Sequence, residues 1–255
     1  LRLVGSEMCI RDSDNTNWFV TITPYGRDIE PNVPDKETVM EGLKKLSDVV
    51  GVDSIGWRYD PIFIDKKHSV EWHISEFEKM AENLAGYTKT CVISFIDIYK
   101  KVERNFPEAK SVRAEDRAMI GKAFVKIASK YGMVLRPCAE GEELAQYGAD
   151  CSGCMTVHTF ETALHSRLEV PKRKKNQRNG ECACLLGTDI GAYDTCGHLC
   201  KYCYANVNPV LVKENMRKHN PASPFLIGGH MPGDIVREAK QESWLVDQIS
   251  MAEFL

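Results

Sequence analysis

The chain has 255 residues, 43% of them hydrophobic and 27% charged, enough apolar content to build a core and too much for a disordered polypeptide. Its net charge of −3 gives no electrostatic case for nucleic acid or a membrane, and no apolar run approaches the roughly 18 residues of a membrane-spanning helix. Ten cysteines without an apolar signal-peptide core predict a cytoplasmic protein that uses thiolates for metal rather than for disulfides.

Residues 1–13 are set apart first. Leu3 to Ser13 reads as a translated sequencing adapter, since Met8-Cys9-Ile10-Arg11-Asp12 back-translates to ATG TGT ATA AGA GAC. Cys9 is therefore not counted as a native thiol, and the expectation is an N-terminally truncated chain whose native sequence continues upstream of Asp14.

From Asn17 onward short apolar runs alternate with amphipathic stretches. Trp18 to Thr23 is the first predicted strand. A helix follows from about Asp35, a good N-cap, with Val39, Leu43, Leu46 and Val50 on one face and Gly51 as its stop. Ser54 to Tyr59 is the second strand. Val70 to Ala85 is the second helix, striped by Ile74, Phe77 and Leu84 and stopped by Gly86. Cys91 to Ile96 is the third strand. The third helix starts near Glu115, uses Ile120, Phe124, Ile127 and Tyr131, and ends at Gly132 before the fourth strand, Met133 to Arg136.

The strand starts at 18, 54, 91 and 133 lie 36, 37 and 42 residues apart. Strand–helix units at that interval predict parallel strands joined by crossover helices, so the fold class is α/β and the leading architecture a partial (β/α) barrel over residues 14–150. Four units cannot close a barrel; the C-terminal region and the missing upstream sequence must supply the rest. The ends of the strands are polar: Tyr25, then Arg58 and Asp60, then Asp97 and Tyr99, then Arg136 and Glu140. In parallel β/α folds that rim carries the active site, so Arg58, Asp60, Asp97, Arg136 and Glu140 are candidates for binding or catalysis. Arg58, Asp60 and Asp97 also suit an internal ion-pair network filling a barrel mouth.

Residues 151–181 read as an irregular linker with a CxxC, Cys151 to Cys154, and a basic run between Pro171 and Gly180 best taken as a solvated loop. Cys182 and Cys184 follow, then a short predicted strand from Leu185 to Ile190. Next comes the most telling motif, Cys196, Cys200 and Cys203 spaced C-x3-C-x2-C, with Tyr202 before the third cysteine and a helix predicted from Val210 to Lys218. The triad thus sits on a loop between a strand and a helix. Three thiolates in eight residues can cap three corners of a 4Fe-4S cubane and leave one iron open. Zinc is the rival occupant, with Cys182 or Cys184 as the fourth ligand of a closed site. His198 is expected to face solvent. Cys138, Cys151, Cys154, Cys182 and Cys184 could furnish a second, auxiliary cluster, with Cys138 and the Cys182/Cys184 pair the best candidates, weighed against free thiols; local spacing does not fix the grouping.

The segments Thr23 to Pro34, Trp57 to Ile62, Ile93 to Asp97, Cys138 to Glu140, Asp189 to Tyr193, the triad and Ser223-Pro224 resemble family 1848 of the domains of unknown function, a bacterial group. The triad with Tyr202 is similar to the cysteine cluster of radical S-adenosylmethionine enzymes. That resemblance implies a 4Fe-4S cluster on Cys196, Cys200 and Cys203, with Tyr202 beside the cofactor and S-adenosylmethionine as cosubstrate. It further implies an electron donor, an unknown small-molecule substrate, and a deoxyadenosyl radical that abstracts hydrogen. In those enzymes the cysteine loop follows the first barrel strand, whereas here it comes last. A permuted radical-SAM-like barrel, with residues 182–255 completing it and Leu185 to Ile190 first in space, would reconcile the orders. Gly228-Gly229-His230 is weakly similar to the glycine-rich segment that binds the methionine amine. The competing expectation is a non-catalytic module stapled by zinc or a cluster. No membrane partner is expected, and nucleic acid is disfavoured.

Overall fold

The computed structural model describes residues 16–171, 183–185, 191–223, 225–235 and 243–246. Four strands, β1 (Trp18–Thr21), β2 (Ile55–Ile62), β3 (Thr90–Phe95) and β4 (Val134–Pro137), form one parallel sheet in the order β1-β2-β3-β4. The helices are α1 (Lys36–Val50), α2 (Val70–Asn83), α3 (Lys100–Asn105), α4 (Ala114–Lys130), α5 (Val157–Leu164) and α6 (Pro209–Lys218). The mixed α/β class and the parallel strand–helix repeat are as expected. Two helices, α3 and α5, form where the sequence reading has none.

Local chemistry sets the helix ends. Asp35 caps α1 by accepting from Glu37 N, and Ser69 caps α2 by accepting from Trp72 N. Asn208 accepts from Val210 N just ahead of Pro209, the first residue of α6, where a missing N–H is harmless. The overlooked α5 has its own cap, Thr156 accepting from Thr159 N.

Alternation along β2 sends its side chains to two different layers. Trp57 and Tyr59, both fully buried, face the helix layer: Trp57 stacks on Phe77 of α2 at 4.9 Å, and Tyr59 meets Phe124 of α4 edge-on at 5.4 Å. Phe77 and Phe124 stack on each other at 3.7 Å and lock α2 to α4. On the opposite face Phe19 fills the space over Gly56, where a Cβ would come within 2.5 Å of the ring. A second, smaller core of Val92, Cys154 and Cys184, flanked by Phe19, Cys138 and Met155, covers this face. Parallel strands are covered on both sides, and here one cover is the cysteine-bearing chain after β4.

Pairing runs past the formal strand ends through Ile22 N to Arg58 O (2.9 Å), Ile96 N to Ile62 O (2.8 Å) and Cys138 N to Ile93 O (2.8 Å). The polar residues at the C-terminal rim are therefore held by sheet bonds. Cys182, the basic run from Lys172 to Gly180, Leu186 to Ile190, Pro224 and residues 1–15 lie outside the described residues. No helix among the described residues is long and apolar enough to cross a membrane.

Candidate functional site

A cavity of about 500 Å³ opens at the C-terminal rim of the sheet. The strand ends contribute Thr21, Arg58, Asp60, Ser94, Asp97, Tyr99 and Cys138; the chain after β4 contributes Gly153, Cys154 and Met155. Cys184 comes from a later segment, and Cys200, Tyr202, Cys203 and Tyr204 from the triad loop. Five thiols from four stretches of chain thus face one space. Of the rim candidates, Arg58, Asp60 and Asp97 line it. Arg136, Glu140 and Cys196 do not, nor do Gly228, Gly229 and His230.

Arg58 donates from Nη2 to Asp60 Oδ2 at 2.8 Å, and Ser94 Oγ donates to the other carboxylate oxygen. Burial opposes the guanidinium charge, but Asp60 and the thiols of Cys138 and Cys154 outweigh it and raise the Arg58 pKa. Tyr99 donates to Asp97 at 3.0 Å. Arg136 turns away from the cavity to Asp150 (2.6 Å) and the Gly153 carbonyl (3.1 Å), with its buried Nε unpartnered among the described residues. Glu140 accepts from Phe95 N at 2.7 Å and pairs with Arg117 at 2.7 Å, tying the loop after β4 to the end of β3. Burial nevertheless pushes its pKa up to about 7.

The thiols fall into two groups. Cys154 Sγ lies 3.9 Å from Cys184 Sγ, and Cys138 lines the same wall beside them. Cys154 and the Arg58 charge outweigh burial and lower the Cys138 pKa. Interaction with Cys138 and Cys184, together with burial, raises the Cys154 pKa. The second group is the triad loop. Cys200 and Cys203 are half-buried and Cys196 is exposed. Burial, with the Glu30 charge, raises Cys200 to about 11.

The triad loop is docked on the turn that follows β1. Lys201 N donates to Ile29 O (3.0 Å), Asn32 N to His198 O (3.2 Å), and Asn32 Nδ2 to Gly197 O (2.9 Å). The buried Glu30 carboxylate is the hub, accepting from Thr23, from Tyr202 and from Lys36 at the start of α1. Tyr202 also packs on Tyr25, with ring centroids 6.1 Å apart. On its other side the loop is closed by Asp194, whose Oδ1 accepts from Val207 N and from Asn208 N (3.0 Å). Asn206 Nδ2 donates to Cys196 O at 2.7 Å. Asp194 and Leu199 both adopt left-handed backbone, φ 55° and 56°, of which aspartate is the more tolerant.

Glu30, Asn32, Asp194 and Asn206 were missed by the sequence reading. Glu30 and Asn32 fall in the Thr23 to Pro34 segment quoted for its family resemblance, and Asp194 and Asn206 flank the triad by two and three residues. Polar residues flanking a cysteine-rich loop were the available signal. Among the described residues, no three His, Cys, Asp or Glu side chains converge closely enough to hold a metal ion as they stand. Cys182 cannot be assigned to either thiol group, since it lies outside the described residues.

A family model, the Domain of unknown function DUF1848, matches residues 7–205. No curated protein and no solved structure matches the chain.

Proposed function

The chain belongs to the DUF1848 family, whose description assigns no activity, and from the chemistry of the cavity we propose an iron–sulfur enzyme of the radical S-adenosylmethionine type. One observation carries the reading: Cys200 and Cys203, from a loop with three thiols in eight residues, open on the same cavity as the polar strand ends. The donor set fits the group. Cys196, Cys200 and Cys203 would hold a 4Fe-4S cluster with one iron lacking a protein ligand. When bound, such a cluster supplies one-electron reduction of the sulfonium of S-adenosylmethionine, drawing on an external electron donor.

The rest of the reading concerns this chain's own side chains. Arg58 and Asp60, each about a quarter exposed, offer the cavity a guanidinium and a carboxylate, suited to the carboxylate and amine of an amino-acid moiety. Tyr202, anchored on Glu30, fixes the loop between the second and third cysteines and fills the wall beside them. Glu140 is a positioning residue: it does not itself line the cavity but holds the backbone of Phe95, which does. The sequential strand order, with α2 and α4 sharing one face, supports consecutive units of a (β/α) barrel, permuted so that the cysteine loop comes late.

The alternative, a zinc-stapled module without catalysis, needs a fourth thiolate at the triad from Cys182 or Cys184. Cys184 is engaged with Cys154 at 3.9 Å, which favours the enzyme reading. The test is electron paramagnetic resonance of anaerobically purified, reduced protein before and after S-adenosylmethionine. A cluster signal that shifts on addition supports the proposal. An unmoved cluster signal, or zinc without any cluster signal, refutes it.

A further inference from the structure

The second thiol group is unexplained by the triad. Cys138, Cys154 and Cys184 are separated by 16 and 30 positions along the chain, and no local motif requires them to meet. Yet backbone bonds hold all three at one wall of the cavity. Cys138 N donates to Ile93 O at 2.8 Å, extending the sheet. Ala183 N donates to Ser152 O and Leu185 N to Met155 O, both at 2.9 Å, so Cys184 is bracketed by main-chain pairing directly beside Cys154.

Three details mark the group as more than packed thiols. The 3.9 Å between Cys154 Sγ and Cys184 Sγ is close to the sulfur–sulfur edge, roughly 3.8 Å, of a tetrahedron with metal–sulfur bonds of about 2.3 Å. A cubane takes one cysteine per iron, so two sulfurs at that spacing suit a single ion. Met155 N donates to Cys184 Sγ at 3.2 Å, the kind of outer hydrogen bond that orients and stabilises a ligating thiolate. The turn around the sulfur is built for it: Gly153 sits at φ 124°, and a Cβ there would come within 2.8 Å of Cys184 Sγ. Arg58 lines the same cavity as the three thiols and offers a counter-charge to thiolates there.

We propose that Cys138, Cys154 and Cys184 form a second metal site that takes a single thiophilic divalent cation of the zinc class, with a fourth coordination position open to the cavity. Binding draws the Cys138 and Cys184 side chains in around Cys154 by rotation about their Cβ bonds. All three thiols line the space that Cys200 and Cys203 also face, so the open position is available to a substrate heteroatom. The site is independent of what the triad holds.

Cobalt(II) titration of the full-length chain carrying Cys196→Ser, Cys200→Ser and Cys203→Ser tests this with the triad silenced. The expected result is thiolate-to-cobalt charge transfer with the visible bands of tetrahedral cobalt, saturating at one equivalent and abolished by adding Cys154→Ser. A companion measurement, which does not depend on a variant folding, reads alkylation of the wild-type chain by peptide mass spectrometry. Zinc should protect Cys138, Cys154 and Cys184 at least tenfold. The proposal is overturned by no thiolate–cobalt absorption in the triad-silenced chain, by absorption that survives Cys154→Ser, or by a Cys154–Cys184 disulfide in protein kept reduced. Failure here leaves the triad's paramagnetic signal untouched, and loss of that signal leaves the cobalt site intact.

Discussion

His73 is fully buried between two partners that fix its protonation state. The Phe63 carbonyl can only accept, so Nε2 carries the proton and donates at 2.8 Å, leaving Nδ1 to accept from Tyr59 OH at 2.8 Å. A second proton has no acceptor at Nδ1 unless the tyrosine hydroxyl turns round. Burial accordingly lowers the His73 pKa from 6.5 to about 4. The folded state refuses a proton that the unfolded chain accepts, so this contribution is whole above pH 6.5 and disappears as pH falls through about 4. At 1.36 kcal/mol per unit, the loss is about 3 kcal/mol, a large part of a domain's stability. Glu140 works in the opposite direction: its pKa, raised from 4.5 to about 7 by burial, gives a contribution present below 4.5 and lost as pH rises through about 7. The clean readout is therefore a difference. Urea unfolding of wild type and His73→Gln should give a stability gap that shrinks by about 3 kcal/mol as pH drops from above 6.5 to about 4. A gap that stays constant across this window refutes the assignment of a neutral, doubly satisfied imidazole.

Two further perturbations address the core and the site. Phe77→Ala removes the ring that stacks on both Trp57 and Phe124, and should cost about 3–5 kcal/mol in denaturant unfolding with an unchanged slope. Tyr202→Phe deletes the hydroxyl donor to the Glu30 carboxylate while keeping the ring against Tyr25; it should cost about 1.5–3 kcal/mol by the same assay and speed alkylation of Cys200, whose exposure depends on that anchor.

The four strands and the three long helices were readable because apolar spacing, caps and stop glycines agreed with one another over every unit. β2 runs to Ile62, three residues beyond the expected end at Tyr59, because β3 carries the pairing onward to Ile62 and Phe95. α5 was hidden in a stretch read as irregular; Thr156 ahead of Val157, Phe160 and Leu164 was its only local sign. The triad was legible because its cysteines are neighbours in sequence. The grouping of Cys138, Cys154 and Cys184 was not, because only the sheet and the chain crossing it bring them together. Glu30 was invisible for a related reason: one acidic residue in a polar turn looks like solvent-facing charge until its three donors arrive from Thr23, Lys36 and Tyr202.

The seating of the cysteine loop on the turn after β1 spans 165 residues between Asn32 and Gly197. Closing so long a loop is entropically costly and must be repaid by contacts made late. On the ribosome, the turn that receives the loop emerges early and waits, its Glu30 short of a partner, until residue 203 has cleared the exit tunnel. A group held by the proposed triad would therefore reach a chain in which the turn that receives the loop has already been made.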